Sequence, residues 1–206
     1  MTYIALRLPD PRVSIRVEVC QGFPGSDEPF PALIQRLHPV AAINGAYFSK
    51  STKLPIGDIV QDGRMLYSGR MGTALAVSPD GIPTIRRVVW GHAADWGGAK
   101  TVLACGPALV LNSRIDVQPE LEGFHDPHVM GTTPRMALGY TADNHLLLVK
   151  MGSVTFAREA LVMKTLGCVG ALNLDAGASL SMFYRGKYLE TPGRRLTNIL
   201  CVYERK

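Results

Sequence analysis

The chain has 206 residues, 47% of them hydrophobic and 19% charged, a balance that gives one domain a core of its own and excludes a disordered chain. Its 22 Lys and Arg against 17 Asp and Glu leave a formal charge of +5, which favours anionic ligands. The basic residues are scattered, with short clusters at Arg86-Arg87, Arg194-Arg195 and Arg205-Lys206, and this excludes a nucleic-acid groove of basic residues interleaved with aromatics.

Residues 3–8 and 13–19 alternate apolar and polar side chains around Pro9-Asp10-Pro11 and are predicted as an antiparallel pair. A short helix is predicted over 31–37, with Pro31 in its first turn. It leads into a buried strand at 40–43 that ends in Asn44-Gly45-Ala46-Tyr47-Phe48. Further strands are predicted near 59–60, 65–67, 74–77, 84–89, 102–105, 108–111, 136–140 and 146–150. Turns separate them at Gln61-Asp62-Gly63-Arg64, Ser78-Pro79-Asp80-Gly81 and Ala142-Asp143-Asn144-His145. Thr155 is placed to cap a helix over 156–166, where Phe156, Ala160, Met163 and Leu166 recur near the helical period and Gly167 suits the C-terminal turn. A buried strand then runs to Leu174 and stops at Asp175. Strands near 181–184, 188–189 and 198–203 complete the chain, the first two joined by Arg185-Gly186-Lys187. With no linker or repeat, the pattern predicts a single α+β domain over 1–206, a mixed and largely antiparallel sheet with a few helices on one face.

No apolar run approaches the ~20 residues of a membrane span, and residues 1–10 lack the basic start and long apolar core of a signal peptide. Cys20, Cys105, Cys168 and Cys201 are widely separated, without a C-x-x-C pair or a nearby His at zinc spacing. They are predicted as buried thiols rather than metal ligands, with two disulfides as the alternative in an exported protein.

The chemistry concentrates where apolar strands end. In Ala171-Leu172-Asn173-Leu174-Asp175-Ala176-Gly177-Ala178-Ser179-Leu180-Ser181 a strand delivers a carboxylate to a loop of small residues, which fixes an acid beside room for a ligand. An ordinary Asp-x-Gly turn reads the same way locally. Asn44-Gly45 repeats the logic, since Asn offers donor and acceptor to a sugar hydroxyl and Gly allows close approach; Tyr47 and Phe48 read as core. In Thr132-Thr133-Pro134-Arg135 the guanidinium stands where a loop enters the sheet and needs an anionic partner, either a bound phosphate or carboxylate or an internal salt bridge to Asp175. His125-Asp126-Pro127-His128 is first a surface or lid loop, then a contributor to an active site, and last a metal site. Asp58 sits in a rigid Gly-containing turn. Ser179 and Ser181 lack the elbow of a serine hydrolase.

Taken in order, Ile43-Asn44-Gly45-Ala46-Tyr47-Phe48, Leu54-Pro55-Ile56-Gly57, Gly106-Pro107-Ala108-Leu109, Pro134-Arg135-Met136-Ala137-Leu138-Gly139 and Asn173-Leu174-Asp175-Ala176-Gly177-Ala178-Ser179 resemble the motifs of the phosphodiester glycosidase family, over about residues 40–203. The family pattern reads Asn-Gly-Gly-Phe-Phe, Arg-Thr-Ala and Asp-Gly-Gly-x-Ser where this chain has Ala46 and Tyr47, Met136, and Ala176. The resemblance implies hydrolysis of the bond from an anomeric carbon to a phosphodiester oxygen. Free sugar and a phosphate monoester are the products, and the substrate is a sugar-phosphate small molecule or glycopolymer of the N-acetylglucosamine class. It further implies that Arg135 holds the phosphate and that Asp175 activates water or attacks the sugar carbon. Asn44, Ser179 and Thr133 then orient substrate, Gly45 and Gly177 make room, and His125 or His128 supplies a proton. No cofactor, metal, nucleic acid or membrane span is expected, and no oligomeric state is set. Relatives of this kind are commonly exported or luminal. The alternative is a non-catalytic carbohydrate or anionic-polymer binding module with the same pocket; a phosphodiesterase cutting phosphorus–oxygen bonds would want a metal cluster that the spacing does not offer.

Overall fold

Consecutive apolar residues such as those at 41–43, 136–138 and 146–149 have two faces to bury, because neighbours along a strand point to opposite sides. In the computed structural model, which describes residues 1–8 and 10–204, both faces of these strands are covered. Pro9 of the expected first turn and the Arg205-Lys206 pair lie outside the described residues.

The chain forms β1 (Thr2–Arg7), β2 (Val13–Val19), α1 (Phe30–Leu37), β3 (Ala41–Asn44), β4 (Ile59–Gln61), β5 (Arg64–Tyr67), β6 (Thr73–Val77) and β7 (Pro83–Arg87). It continues through β8 (Thr101–Ala104), β9 (Ala108–Leu111), β10 (Arg114–Ile115), α2 (Pro127–Met130), β11 (Thr133–Thr141) and β12 (His145–Val154). The last elements are α3 (Phe156–Thr165), β13 (Cys168–Asn173), β14 (Met182–Tyr184), β15 (Lys187–Glu190) and β16 (Asn198–Glu204).

The strands build three antiparallel sheets, in the orders β1-β12-β11-β13-β9-β10, β15-β14-β3-β16-β2 and β5-β4-β8-β6-β7. One face of each feeds a common core, with Ile43 and Leu200, Leu75 and Leu103, and Leu138, Leu148 and Leu172 packed together. The alternate residues face outward to separate covers. α3 lays Phe156, Ala160 and Met163 on Ala137, Leu147 and Ala171, and α1 lays Phe30, Leu33 and Ile34 on Ala42, Ile199 and Cys201. Val88, Trp96 and Ala99, which lie outside any helix, cover Ala74, Ala76 and Val102.

This arrangement corrects three expectations. The stretches 3–8 and 13–19 are strands but not a hairpin, since β1 pairs with β12 and β2 with β16 in a different sheet. The single sheet is three, and the helices lie on the outer faces of two of them. At 43% strand and 14% helix the α+β class stands with its weight on β.

Local signals act as read. Thr155 Oγ1 accepts from Arg158 N at 3.3 Å and Gly167 follows α3 at φ +86°. Arg185 and Gly186 take φ of 44° and 83° to turn β14 into β15, the left-handed pair that matches strand twist. All four cysteines are buried free thiols. Among the described residues no helix is long and apolar enough to cross a membrane.

Candidate active site

Two sheets are joined end to end where β3 and β13 finish. Asn44 Nδ2 donates to the Asp175 carbonyl at 2.6 Å, and Asp175 N donates to the Gly45 carbonyl at 3.1 Å. Asn44 Oδ1 also accepts from Ser181 N at 3.2 Å. Gly45 is required by packing, because a Cβ there would stand 2.0 Å from Asn198 Oδ1, the acceptor for Ala46 N. Asn44 and Gly45 therefore fix the backbone that presents Asp175, and Asn44 is itself 1% exposed.

Asp175 is 3% exposed at the wall of a cavity of about 660 Å³, the size of an ordinary small-molecule site. Its Oδ2 accepts from Arg194 Nη2 at 2.6 Å and its Oδ1 from Ala176 N at 2.8 Å. Burial raises its pKa, and the opposing pull of Arg194, Ser179 and the Ala176 amide does not cancel that rise. Arg194 comes from the segment before β16. Its Nε donates to Ser179 Oγ at 2.5 Å, and its guanidinium lies over the Phe48 ring, 4.4 Å from the centroid. Ser179, 0% exposed, thus orients the arginine, and Arg194 Nη1 has no protein acceptor among the described residues. Lys50, Lys53 and Arg195 add positive charge to the cavity. Lys53 and Arg195 pair with Asp27 at 3.0 and 2.7 Å, holding its carboxyl below the usual range.

The remaining expected residues divide. Gly177, Thr133 and His128 line the cavity; Gly177 has φ +60° with open space where a Cβ would sit. His125 is exposed and packs against Trp90, ring centroids 5.9 Å apart, away from the cavity lining. His128 itself stands in a turn of helix, α2, capped by Asp126 Oδ1 accepting from His128 N at 2.8 Å. Asp58 is 0% exposed and accepts from Gly69 N, Arg70 N and Trp96 Nε1, a structural duty outside the site.

Arg135 corrects a main expectation. It is 0% exposed and absent from the cavity wall, because strand alternation puts it on the α3 side of β11 with Ala137, while Met136 and Leu138 face the common core. There it stacks on Phe156, 3.6 Å from the ring centroid. It donates to the carbonyls of Val154, Val129 and Gly131 at 3.0, 2.9 and 2.6 Å. Its acidic neighbour is Glu159, 3.8 Å away, and not Asp175. Burial pushes Glu159 well above the ordinary carboxylate range.

The family model for phosphodiester glycosidase matches residues 38–203. The chain belongs to the phosphodiester glycosidase family. Its fold is that of a hypothetical protein from Synechocystis, TM-score 0.76 at 15% identity, over 98% of this chain and 59% of that one. It is also that of the catalytic domain of zebrafish N-acetylglucosamine-1-phosphodiester alpha-N-acetylglucosaminidase, auto-inhibited by its pro-peptide. There the TM-score is 0.75 at 16% identity, covering 100% of this chain and 89% of that one. The chain thus spans 59% of the Synechocystis protein's length. No curated protein matches it by sequence.

In this member of the phosphodiester glycosidase family the cavity cation paired with Asp175 is Arg194, which the sequence shows only as half of a basic pair after Pro192-Gly193. A basic pair just after a Pro-Gly turn and just before a buried strand is the signal that marks it. Tyr47, read as core, is half-buried and lines the cavity, which alternation in so short a segment does not reveal.

Proposed function

We propose that this protein hydrolyses sugar-1-phosphodiesters at the bond between the anomeric carbon and the phosphodiester oxygen, with N-acetylglucosamine as the sugar. The observation that carries the reading is the Asp175–Arg194 pair at the wall of the cavity in a chain of this family. Arg194 keeps Nη1 for a phosphate oxygen while its other nitrogens hold Ser179 and Asp175. A planar fork of this kind suits phosphate. The raised pKa of Asp175 makes it a better base than a solvated carboxylate.

A water oxygen bonds to the anomeric carbon as the carbon–oxygen bond breaks, and that bond's electron pair goes to the phosphate oxygen. The water proton passes to Asp175 and then to solvent. Phosphate leaves readily, so charge stabilisation matters more here than acid assistance. Thr133 and Gly177 border the space left for the sugar, and Asn44 and Gly45 support Asp175 from behind.

A panel of sugar-1-phosphodiesters tests this. Free sugar and a phosphate monoester are expected from the N-acetylglucosaminyl member, and Asp175→Asn should lower turnover about 10³-fold with the fold retained. Full turnover by Asp175→Asn removes the carboxylate from the mechanism, and no product from any diester ends the reading.

A further inference from the structure

The buried cation that misses the cavity has a route to it. Arg135 Nη1 lies 3.5 Å from Asn173 Oδ1, and Asn173 Nδ2 donates to the Tyr47 phenol oxygen at 2.9 Å. The two hydrogens of the same amide are shared between Tyr47 and the carbonyls of Gly106 and Leu174, 3.1 and 2.7 Å away, so its orientation is fixed from several sides. The Tyr47 ring is held against Phe124, centroids 5.8 Å apart, and forms part of the cavity wall.

The Tyr47 oxygen already accepts from Asn173, and among the described residues no protein group accepts its proton. The O–H is therefore left for a guest in the cavity. Guanidinium, amide and phenol all donate in one direction, so each bond polarises the next and the last O–H is a stronger donor than an isolated phenol. A series that begins at a cation and ends in a donor is matched by an anionic acceptor; a sugar hydroxyl, which donates as readily as it accepts, uses less of that polarity. Burial, Cys105 and Asp175 push the phenol well above its ordinary range, so it keeps its proton.

We propose that Tyr47 is a catalytic hydrogen-bond donor aimed at the phosphate oxygen that leaves the anomeric carbon, with Asn173 and Arg135 as positioning residues behind it. The inference rests on the proposed reaction and adds a donor to it. As the carbon–oxygen bond breaks, its electron pair moves onto that oxygen and the hydrogen bond strengthens there. The proton stays on Tyr47 throughout.

The test compares wild type and Tyr47→Phe on an aryl and an alkyl N-acetylglucosaminyl phosphodiester, with melting curves to verify folding. Expected is a kcat loss of about 10²-fold, KM within about twofold, and a larger penalty for the alkyl diester, whose phosphate is the poorer leaving group. An unchanged kcat, an effect confined to KM, or equal penalties for the two diesters overturns the donor role. Asn173→Asp, which removes the amide donor, should lower kcat alike and add little in the Tyr47→Phe background; full additivity removes Asn173 from the relay. If wild type turns over neither diester, the proposed reaction falls, and binding of methyl phosphate, whose oxygens carry the charge that develops as the carbon–oxygen bond breaks, decides the donor separately. About tenfold weaker binding in Tyr47→Phe supports it, and equal binding overturns it.

Discussion

Arg194 and Asp175 share one ion pair with opposite needs. The guanidinium is 24% exposed and stays hydrated on one side, whereas the carboxyl at 4% is desolvated. Arg194→Ala should therefore leave the fold intact, weaken binding of a phosphodiester by about tenfold or more, and leave binding of the free sugar unchanged. Calorimetry with both ligands checks this, and equal losses contradict a phosphate role.

The acid also sets a pH dependence. Its folded pKa is raised above 3.8, so the folded state binds the proton more tightly than the unfolded chain, and stability falls as pH rises from 3.8 through the folded value. Asp175→Asn lacks that loss. Its melting temperature should gain on wild type as pH rises through that window and the gap should then level off; a gap independent of pH contradicts the raised pKa. At this scale the sequence was partly legible. Asp175 is marked by an apolar strand ending in a small-residue loop, whereas Arg135 is misleading because both faces of β11 are buried and nothing local says which side opens onto a ligand.

At the scale of elements, Arg135 is a rivet. Its guanidinium ties the end of β12 and the α2 segment to β11 through three carbonyls, and that segment carries Asp126 and His128 to the cavity. Replacing it with Met strands those carbonyls and Glu159, and removal of one partner from a buried charged set costs about 3–5 kcal/mol. Denaturant unfolding of Arg135→Met should show that loss, with faster amide exchange across 126–131. A loss under about 1 kcal/mol would contradict the rivet. Strand positions were readable from apolar runs and turns, and the Arg185-Gly186 hairpin from its left-handed residues. The partners of β1 and β2 were not, because alternation identifies a strand but carries no information about which distant strand shares its ladder.

For the whole molecule, three sheets that share one apolar centre should lose it together. Leu148→Ala, at a fully buried site in the core that all three sheets share, should cost about 2–5 kcal/mol and shift Trp fluorescence and far-UV circular dichroism to the same new midpoint. Separate midpoints would show sheets that unfold independently. The same architecture places the ends of β3 and β13 and the approach to β16 around one cavity, although these stretches are far apart in sequence. That convergence follows from tertiary pairing, and the sequence expressed it only through motif order.

The central claim is that this cavity breaks the bond on the sugar side of the phosphodiester. Turnover of N-acetylglucosaminyl methyl phosphodiester in heavy-oxygen water, read by mass spectrometry, tests it most directly. The label is expected in the released sugar and not in methyl phosphate; label in methyl phosphate, or intact diester bound without turnover, would contradict it.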